Sequence, residues 1–196
     1  METEKNVAIE AMTNAQLIDG AATVSELFLK RVLEHGNKVA LREKDFGLWN
    51  EYSWSDWGDF AKWVGLGLAS LGFSRGDVCS IASEVNKEWM FADLGVITMG
   101  GLTNGVYPTD APNQVEYLIT DSGTRFYFAE DEEQLDKVLE VRERTPTLEK
   151  IIIFDMEGLR NFDDPQCLSL TKLIELGQQY ELDHPRLWSE EVGKAG

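Results

Sequence analysis

A serine between two glycines offers the most direct route to chemistry in this chain. Gly72-Phe73-Ser74-Arg75-Gly76 matches G-x-S-x-G, the pattern of a hydrolase whose serine hydroxyl attacks an ester. That nucleophile needs a strand before the serine and a helix after it. The apolar spacing here predicts the reverse order, so we interpret the segment as a helix end followed by a turn. A small hydrolase that uses Ser74 stays open as an alternative.

Two further segments have the composition of a phosphate-binding loop and of a calcium-binding loop, but their residues lack the spacing that these loops require. Residues 100–105 (GGLTNG) are glycine-rich but lack the Lys-Ser/Thr that completes a phosphate-binding loop. We therefore predict that these glycines permit a bend or a close backbone approach. The acidic run at residues 130–133 lacks the spacing of a calcium loop, which favours a solvated helix start.

The histidines and cysteines indicate no metal cluster and no nucleophile with its base. His35 precedes a glycine, which is typical of a helix end, and His184 precedes a proline in a polar, solvated segment. Cys79 falls inside an apolar strand pattern, so we predict a buried and inert thiol. Cys167 falls in a predicted loop. We assign no catalytic residue and no metal ligand in this chain.

Charge and length exclude several classes of protein. The chain has 196 residues and a net charge of −17, with 18 basic against 35 acidic side chains. This balance argues against a nucleic-acid surface and against an anionic-membrane patch, because both need clustered lysine or arginine. The longest uncharged stretch, residues 94–109, is too short and too polar to span a membrane. We expect no secretory signal, no disulfide and a cytoplasmic location.

Hydrophobic periodicity predicts an α/β fold: a mainly parallel sheet flanked by helices, with an N-terminal helix and a β-hairpin. Helices follow N-cap signals such as Thr23, Ser53 and Asn86. Short apolar runs predict four strands, at residues 78–82, 102–106, 124–129 and 150–154. Further helices are predicted at residues 111–120, 131–144 and 169–180, and a hairpin joins residues 38–43 to 48–53. Alternation of strands and helices requires crossover connections, which favour a parallel sheet.

The predicted organisation has three parts. Residues 1–22 form a loose lead-in, residues 23–182 form the α/β unit, and residues 183–196 form a loop-like tail. Ligands of a parallel sheet bind beyond the carboxyl ends of its strands, where the strand order reverses.

Four segments in order resemble the N-terminal subdomain of AMP-forming long-chain fatty-acyl-CoA synthetases. They are residues 52–57 (YSWSDW), 71–78 (LGFSRGDV), 97–110 (ITMGGLTNGVYPTD) and 113–123 (NQVEYLITDSG). The resemblance implies an incomplete part of the large domain of an adenylate-forming enzyme, which ends before the phosphate-binding loop.

The family converts a fatty acid, ATP and CoA to acyl-CoA, AMP and pyrophosphate through an acyl-adenylate. The resemblance implies that ATP, Mg²⁺ and CoA serve the complete parent enzyme and that this chain alone binds none of them and is inactive. Tyr107, Pro108 and Thr109 would lie near the floor of the parent's active site and contact substrate, although packing at a strand end explains them equally well.

The implied partner is the remainder of the parent ligase, which brings fatty acid and CoA. Its fatty substrate makes contact with a membrane surface plausible for the parent. Apolar surfaces left open by a missing part would favour self-association, which the negative charge opposes. The alternative function is a stand-alone, non-catalytic interaction module that kept the fold.

Overall fold

The computed structural model describes residues 18–194. The helices are α1 (Val24–His35), α2 (Trp54–Ser70), α3 (Lys87–Thr98), α4 (Pro112–Ser122), α5 (Glu132–Val141), α6 (Leu170–Asp183) and α7 (Leu187–Gly193). The strands are β1 (Val39–Asp45), β2 (Leu48–Ser53), β3 (Val78–Ala82), β4 (Leu102–Val106), β5 (Phe126–Ala129), β6 (Lys150–Ile153) and β7 (Cys167–Ser169). A short 3-10 helix, Arg142–Arg144, extends α5.

Local hydrogen bonds set the helix starts that the sequence predicted. The Thr23 hydroxyl accepts from the Glu26 N–H at 3.1 Å at the start of α1. At the start of α2, the Ser53 hydroxyl accepts from the Asp56 N–H, and the Asp56 carboxylate accepts from the Ser53 N–H at 2.8 Å. These bonds satisfy backbone donors that have no partner within the helix. The predicted N-caps Thr23 and Ser53 are confirmed, and Ser53 with Asp56 forms a capping box.

The predicted hairpin is also confirmed, with a two-residue turn. Asp45 pairs with Leu48 across β1 and β2, and Phe46 and Gly47 both have positive φ. Positive φ at both central positions gives the turn a twist that matches the flanking strands. Phe46 adopts this conformation without the freedom of glycine, and its side chain is fully exposed.

Five strands form one parallel sheet in the order β4-β3-β5-β6-β7. Helices α1, α2, α3 and α6 share a core with one face, on which Cys79 and Ile81 of β3 lie. Helices α4 and α5 share a core with the other face, on which Tyr127 of β5 lies. Strand β5 is buried on both faces, as expected for a covered parallel sheet. The predicted fold class is correct.

The structure adds two elements where the sequence predicted loops. Cys167, predicted in a loop, begins β7, because its segment pairs with Ile151–Ile153 at the edge of the sheet. The stretch 187–193, predicted to be loop-like, forms α7, which buries Val192 and joins Trp188 Nε1 to Thr98 Oγ1 at 3.1 Å. Both elements depend on partners distant in sequence. Most of the predicted lead-in, residues 1–17, lies outside the described residues, and the three-part division stays a prediction.

Glycines allow α2 to pack closely against α6 at the centre of the helical layer. A Cβ at Gly177 would lie 1.8 Å from the backbone oxygen of Trp63, and one at Gly67 would lie 2.3 Å from the oxygen of Leu173. No rotamer change relieves a collision with backbone atoms. The separation of the two helices therefore depends on residues that have no side chain.

We predict that Gly177→Ala lowers the free energy of unfolding by about 3 kcal/mol, because the added methyl forces α2 and α6 apart. Urea denaturation measures this change. Gly193→Ala is the matched control, because a Cβ at the end of α7 meets nothing within 4 Å. Equal stability of the two variants would contradict the close helix contact.

Candidate functional site at the carboxyl edge of the sheet

The candidate site is built from the loops that follow the parallel strands. The chain leaves β3 toward α3 on one face and leaves β5 toward α5 on the other. The strand order therefore reverses between β3 and β5, and a crevice forms outside their carboxyl ends. Three loops border it: residues 83–86 after β3, residues 107–110 after β4 and residues 130–131 after β5.

The predicted substrate residues Tyr107, Pro108 and Thr109 lie in a fixed turn directly after β4. The Asp110 carboxylate accepts from the Tyr107 N–H at 3.1 Å, and the Asp110 N–H donates to the Tyr107 oxygen at 2.9 Å. Lys137 of α5 donates to the Pro108 oxygen at 2.5 Å. The turn is held from two directions, while the Tyr107 side chain is 75% exposed.

The loops after β3 and β4 enclose an open groove of about 380 Å³. Its walls carry Val85, Trp89, Val106 and Tyr107, and Ser83, Glu84, Gly105, Pro108 and Thr109 complete the lining. Val85 is 84% exposed. An apolar groove with a few polar groups at its rim suits a ligand with a hydrocarbon part.

Glu130 joins the loops on either side of the reversal point. Its carboxylate accepts from the Glu84 N–H at 2.7 Å and from Asn86 Nδ2 at 3.3 Å. Asn86 also donates to the Ser83 hydroxyl at 2.9 Å and caps α3 through the Trp89 N–H. The interpretation of residues 130–133 as a merely solvated helix start is therefore wrong for Glu130, which holds the loop after β3.

A second, polar crevice of about 450 Å³ adjoins the groove and is acidic. Six carboxylates and two lysines line it: Glu43, Asp45, Glu88, Glu130, Asp131, Asp155, Lys44 and Lys87. The Lys87 ammonium lies 2.7 Å from carboxylate oxygens of Glu43 and Glu88. Burial opposes the charge of Lys87, but these two hydrogen bonds raise its pKa above the ordinary value. Lys87 is therefore a paired cation.

The G-x-S-x-G segment lies at the opposite, amino edge of the sheet. The Ser74 N–H donates to Asp77 Oδ2 at 2.6 Å, within the turn from α2 into β3. A Cβ at Gly101 would lie 2.3 Å from the Phe73 ring, so this glycine permits a close approach, as predicted. The helix-then-strand order is confirmed, and Ser74 has no nucleophile geometry.

The remaining titratable candidates fill structural roles. Cys79 is buried, and burial raises the pKa of its thiol, in agreement with the predicted inert residue. His184 stacks on Tyr180 with ring centroids 4.0 Å apart, at the end of α6. Within residues 18–194 no group of three or more His, Cys, Asp or Glu side chains is arranged to hold a metal ion. In the same residues no helix has the length and apolar character needed to cross a membrane.

The family model described as AMP-binding enzyme matches residues 28–176. The chain belongs to this family. The matched segment includes the loops after β3, β4 and β5, and therefore the groove and the acidic crevice.

Curated relatives are long-chain fatty-acid–CoA ligases. Ligase ACSBG1 of Rattus norvegicus is 27% identical over 157 residues, which cover 80% of this chain and 22% of the relative. Ligase ACSBG2 of Xenopus laevis is 29% identical over 135 residues, covering 69% of this chain and 18% of the relative. The chain therefore spans 22% of the length of the first relative and 18% of the length of the second.

Solved structures of adenylate-forming enzymes share the fold. An anthranilate CoA ligase in complex with anthranoyl-AMP superposes with a TM-score of 0.66 at 22% identity, covering 77% of this chain and 26% of that one. The adenylation domain of a carboxylate reductase from Mycobacterium chelonae superposes with a TM-score of 0.70 at 14% identity. The match covers 87% of this chain and 31% of that one.

The sequence predicted a role for the loop after β4. It did not predict the residues that bind the loops of this edge or line the groove opposite Tyr107. Glu130, Lys137 and Val85 belong to the same edge, although they are separated from Tyr107 along the chain. The rule that residues after parallel strands meet at one edge points to Glu130 and Val85. No local pattern points to Lys137, which reaches the edge from the second turn of α5.

We predict that Glu130→Ala speeds hydrogen exchange at the Glu84 amide and lowers the free energy of unfolding by about 1–2 kcal/mol, because two hydrogen bonds are lost. Exchange measured by NMR and urea denaturation test this. Glu130→Gln keeps one acceptor and should give an intermediate effect. Asp136→Ala, an exposed acidic residue on α5, should change neither quantity. Unchanged exchange at Glu84 in Glu130→Ala would contradict the role of the carboxylate.

Proposed function

We propose that this chain is the N-terminal portion of a long-chain fatty-acid–CoA ligase and does not form acyl-adenylate by itself. The observation that carries the proposal is the match of 157 residues to a ligase of that name, of which the chain spans 22%. In the complete enzyme, fatty acid, ATP and CoA give acyl-CoA, AMP and pyrophosphate. The remainder of the ligase is the partner of this chain.

The charge of the carboxyl edge supports the lack of adenylation. A carboxylate becomes a good acyl donor only when positively charged groups stabilise the triphosphate and the leaving pyrophosphate. The acidic crevice instead presents six carboxylates against two lysines. Its donor set does not fit a triphosphate. We infer that the groups that hold ATP and Mg²⁺ belong to the part of the complete enzyme that lies outside this chain.

The groove beside Tyr107 supports a role in binding the fatty acyl chain. Tyr107, Pro108 and Thr109 are displayed at the carboxyl end of β4, and Val85 and Trp89 supply apolar wall opposite them. Lys137 donates to the Pro108 oxygen and the Asp110 carboxylate accepts from the Tyr107 N–H, and these bonds fix the turn before any ligand binds. Such preorganisation lowers the entropy lost on binding.

We place the complete enzyme in the cytoplasm, with contact at the membrane surface through its fatty substrate.

We predict no ATP–pyrophosphate exchange by this chain with palmitate and Mg²⁺, because no cationic cradle for the triphosphate is present at the described edge. A complete long-chain ligase, assayed in parallel, is the positive control. Addition of the missing portion of such a ligase in the same reading frame should restore exchange. Robust exchange by this chain alone would refute the assignment.

We predict that palmitate, kept below its micelle concentration, shifts the amide NMR signals of Gly105 and Thr109. Tyr107→Ala should weaken this binding about tenfold, because one wall of the groove is lost. Tyr117→Ala is the matched control, since this tyrosine of α4 is 63% exposed but lies outside the groove lining. Equal weakening by both variants would contradict the position of the site.

A further inference from the structure

Strand β4 is an open edge of the five-stranded sheet. It stands first in the strand order and, among residues 18–194, pairs with β3 alone. Leu102 is 57% exposed, and Gly105 is exposed as well. No described element covers this side of the strand.

The backbone of β4 presents a definite pattern of free groups. The Leu102 N–H donates to the Asp77 oxygen at 2.9 Å, which directs the amide of Leu102 toward β3. Successive residues of a strand direct their backbone groups to opposite sides. The N–H and C=O groups of Asn104 and Val106 therefore also face β3, and those of Thr103 and Gly105 face away from the sheet.

Strand β4 lacks the features that normally protect an edge. Natural edge strands carry lysine, proline or a bulge that prevents pairing with another chain. The register of β4 with β3 is continuous, and residues 94–109 contain no charged side chain. Because β4 itself carries no charge, pairing with a second copy places no like charges of the strand opposite each other, in spite of the net charge of −17. The opposite edge, β7, has only three residues.

We propose that a second copy of this chain pairs antiparallel with β4 about a two-fold axis at Asn104. Thr103 then lies opposite Gly105 of the second copy, and Gly105 lies opposite its Thr103, so all the outward groups of both residues are bonded. The edge is self-complementary, as a two-fold interface requires. The pairing joins two sheets into one and goes beyond the proposed ligase function.

Cross-linking tests the register of this pairing. The two Asn104 residues form a non-hydrogen-bonded pair with Cα atoms about 4.5 Å apart, within reach of a disulfide. Asn104→Cys should form a covalent dimer under mild oxidation. Thr103→Cys is the matched control, because in this register it faces Gly105 and not itself. Wild type, with Cys79 and Cys167, gives the background. Cross-linking of Asn104→Cys no faster than of Thr103→Cys would overturn the register.

Sedimentation equilibrium of the wild-type chain tests the association itself, which should rise with concentration toward a dimer. Gly105→Lys should weaken dimerisation about tenfold, because the two lysines lie close to each other across the axis. Gly105→Ala should preserve it, since a Cβ there meets nothing within 4 Å. Thermal unfolding verifies that both variants fold. A wild-type monomer at all concentrations, or a dimer unaffected by Gly105→Lys, would overturn the proposal.

Discussion

Strand β3 pairs in parallel with both β4 and β5, and this double pairing determines how the chain connects its strands. Parallel neighbours require crossover connections, and these carry the chain over one face after β3 and over the other face after β5. The loops after all the strands consequently meet at one edge of the sheet. The same pairing leaves one side of β4 free, so the candidate site and the exposed edge have a common origin.

Close helix packing makes this arrangement stable. The strands are short and bury apolar side chains on both faces, so each face needs a continuous helical cover. On one face α2 supplies the centre of that cover. Glycines bring its backbone against that of α6, and Gly95 of α3 admits the Val64 side chain of α2. Phe91 and Trp89 of α3 pack in the same hydrophobic core as α2. This packing positions Trp89, which forms part of the groove wall opposite Tyr107.

The carboxyl edge of the sheet combines an apolar surface with an acidic one. The apolar groove and the acidic crevice lie side by side. Two lysines near them are bound within the chain, Lys87 by carboxylates and Lys137 by the Pro108 backbone oxygen. An anionic nucleotide would gain little binding free energy from the acidic crevice, whereas a hydrocarbon chain would gain binding free energy from the apolar groove. The local physics is consistent with the division of roles that we propose between this chain and the rest of a ligase.

Local sequence patterns were enough to predict the caps at Thr23, Ser53 and Asn86, the hairpin, and the alternation of strands and helices that requires a parallel sheet. These features depend on residues within a few positions of one another. Strand β7 and helix α7 became apparent only in the folded chain, because they are stabilised by Ile151–Ile153 and by Thr98, which are distant from them in sequence. It also decided that Glu130 and Lys137 hold the loops of the site. Long-range contacts leave no periodic signal in the segments that make them, and this is why those roles became visible only in the fold.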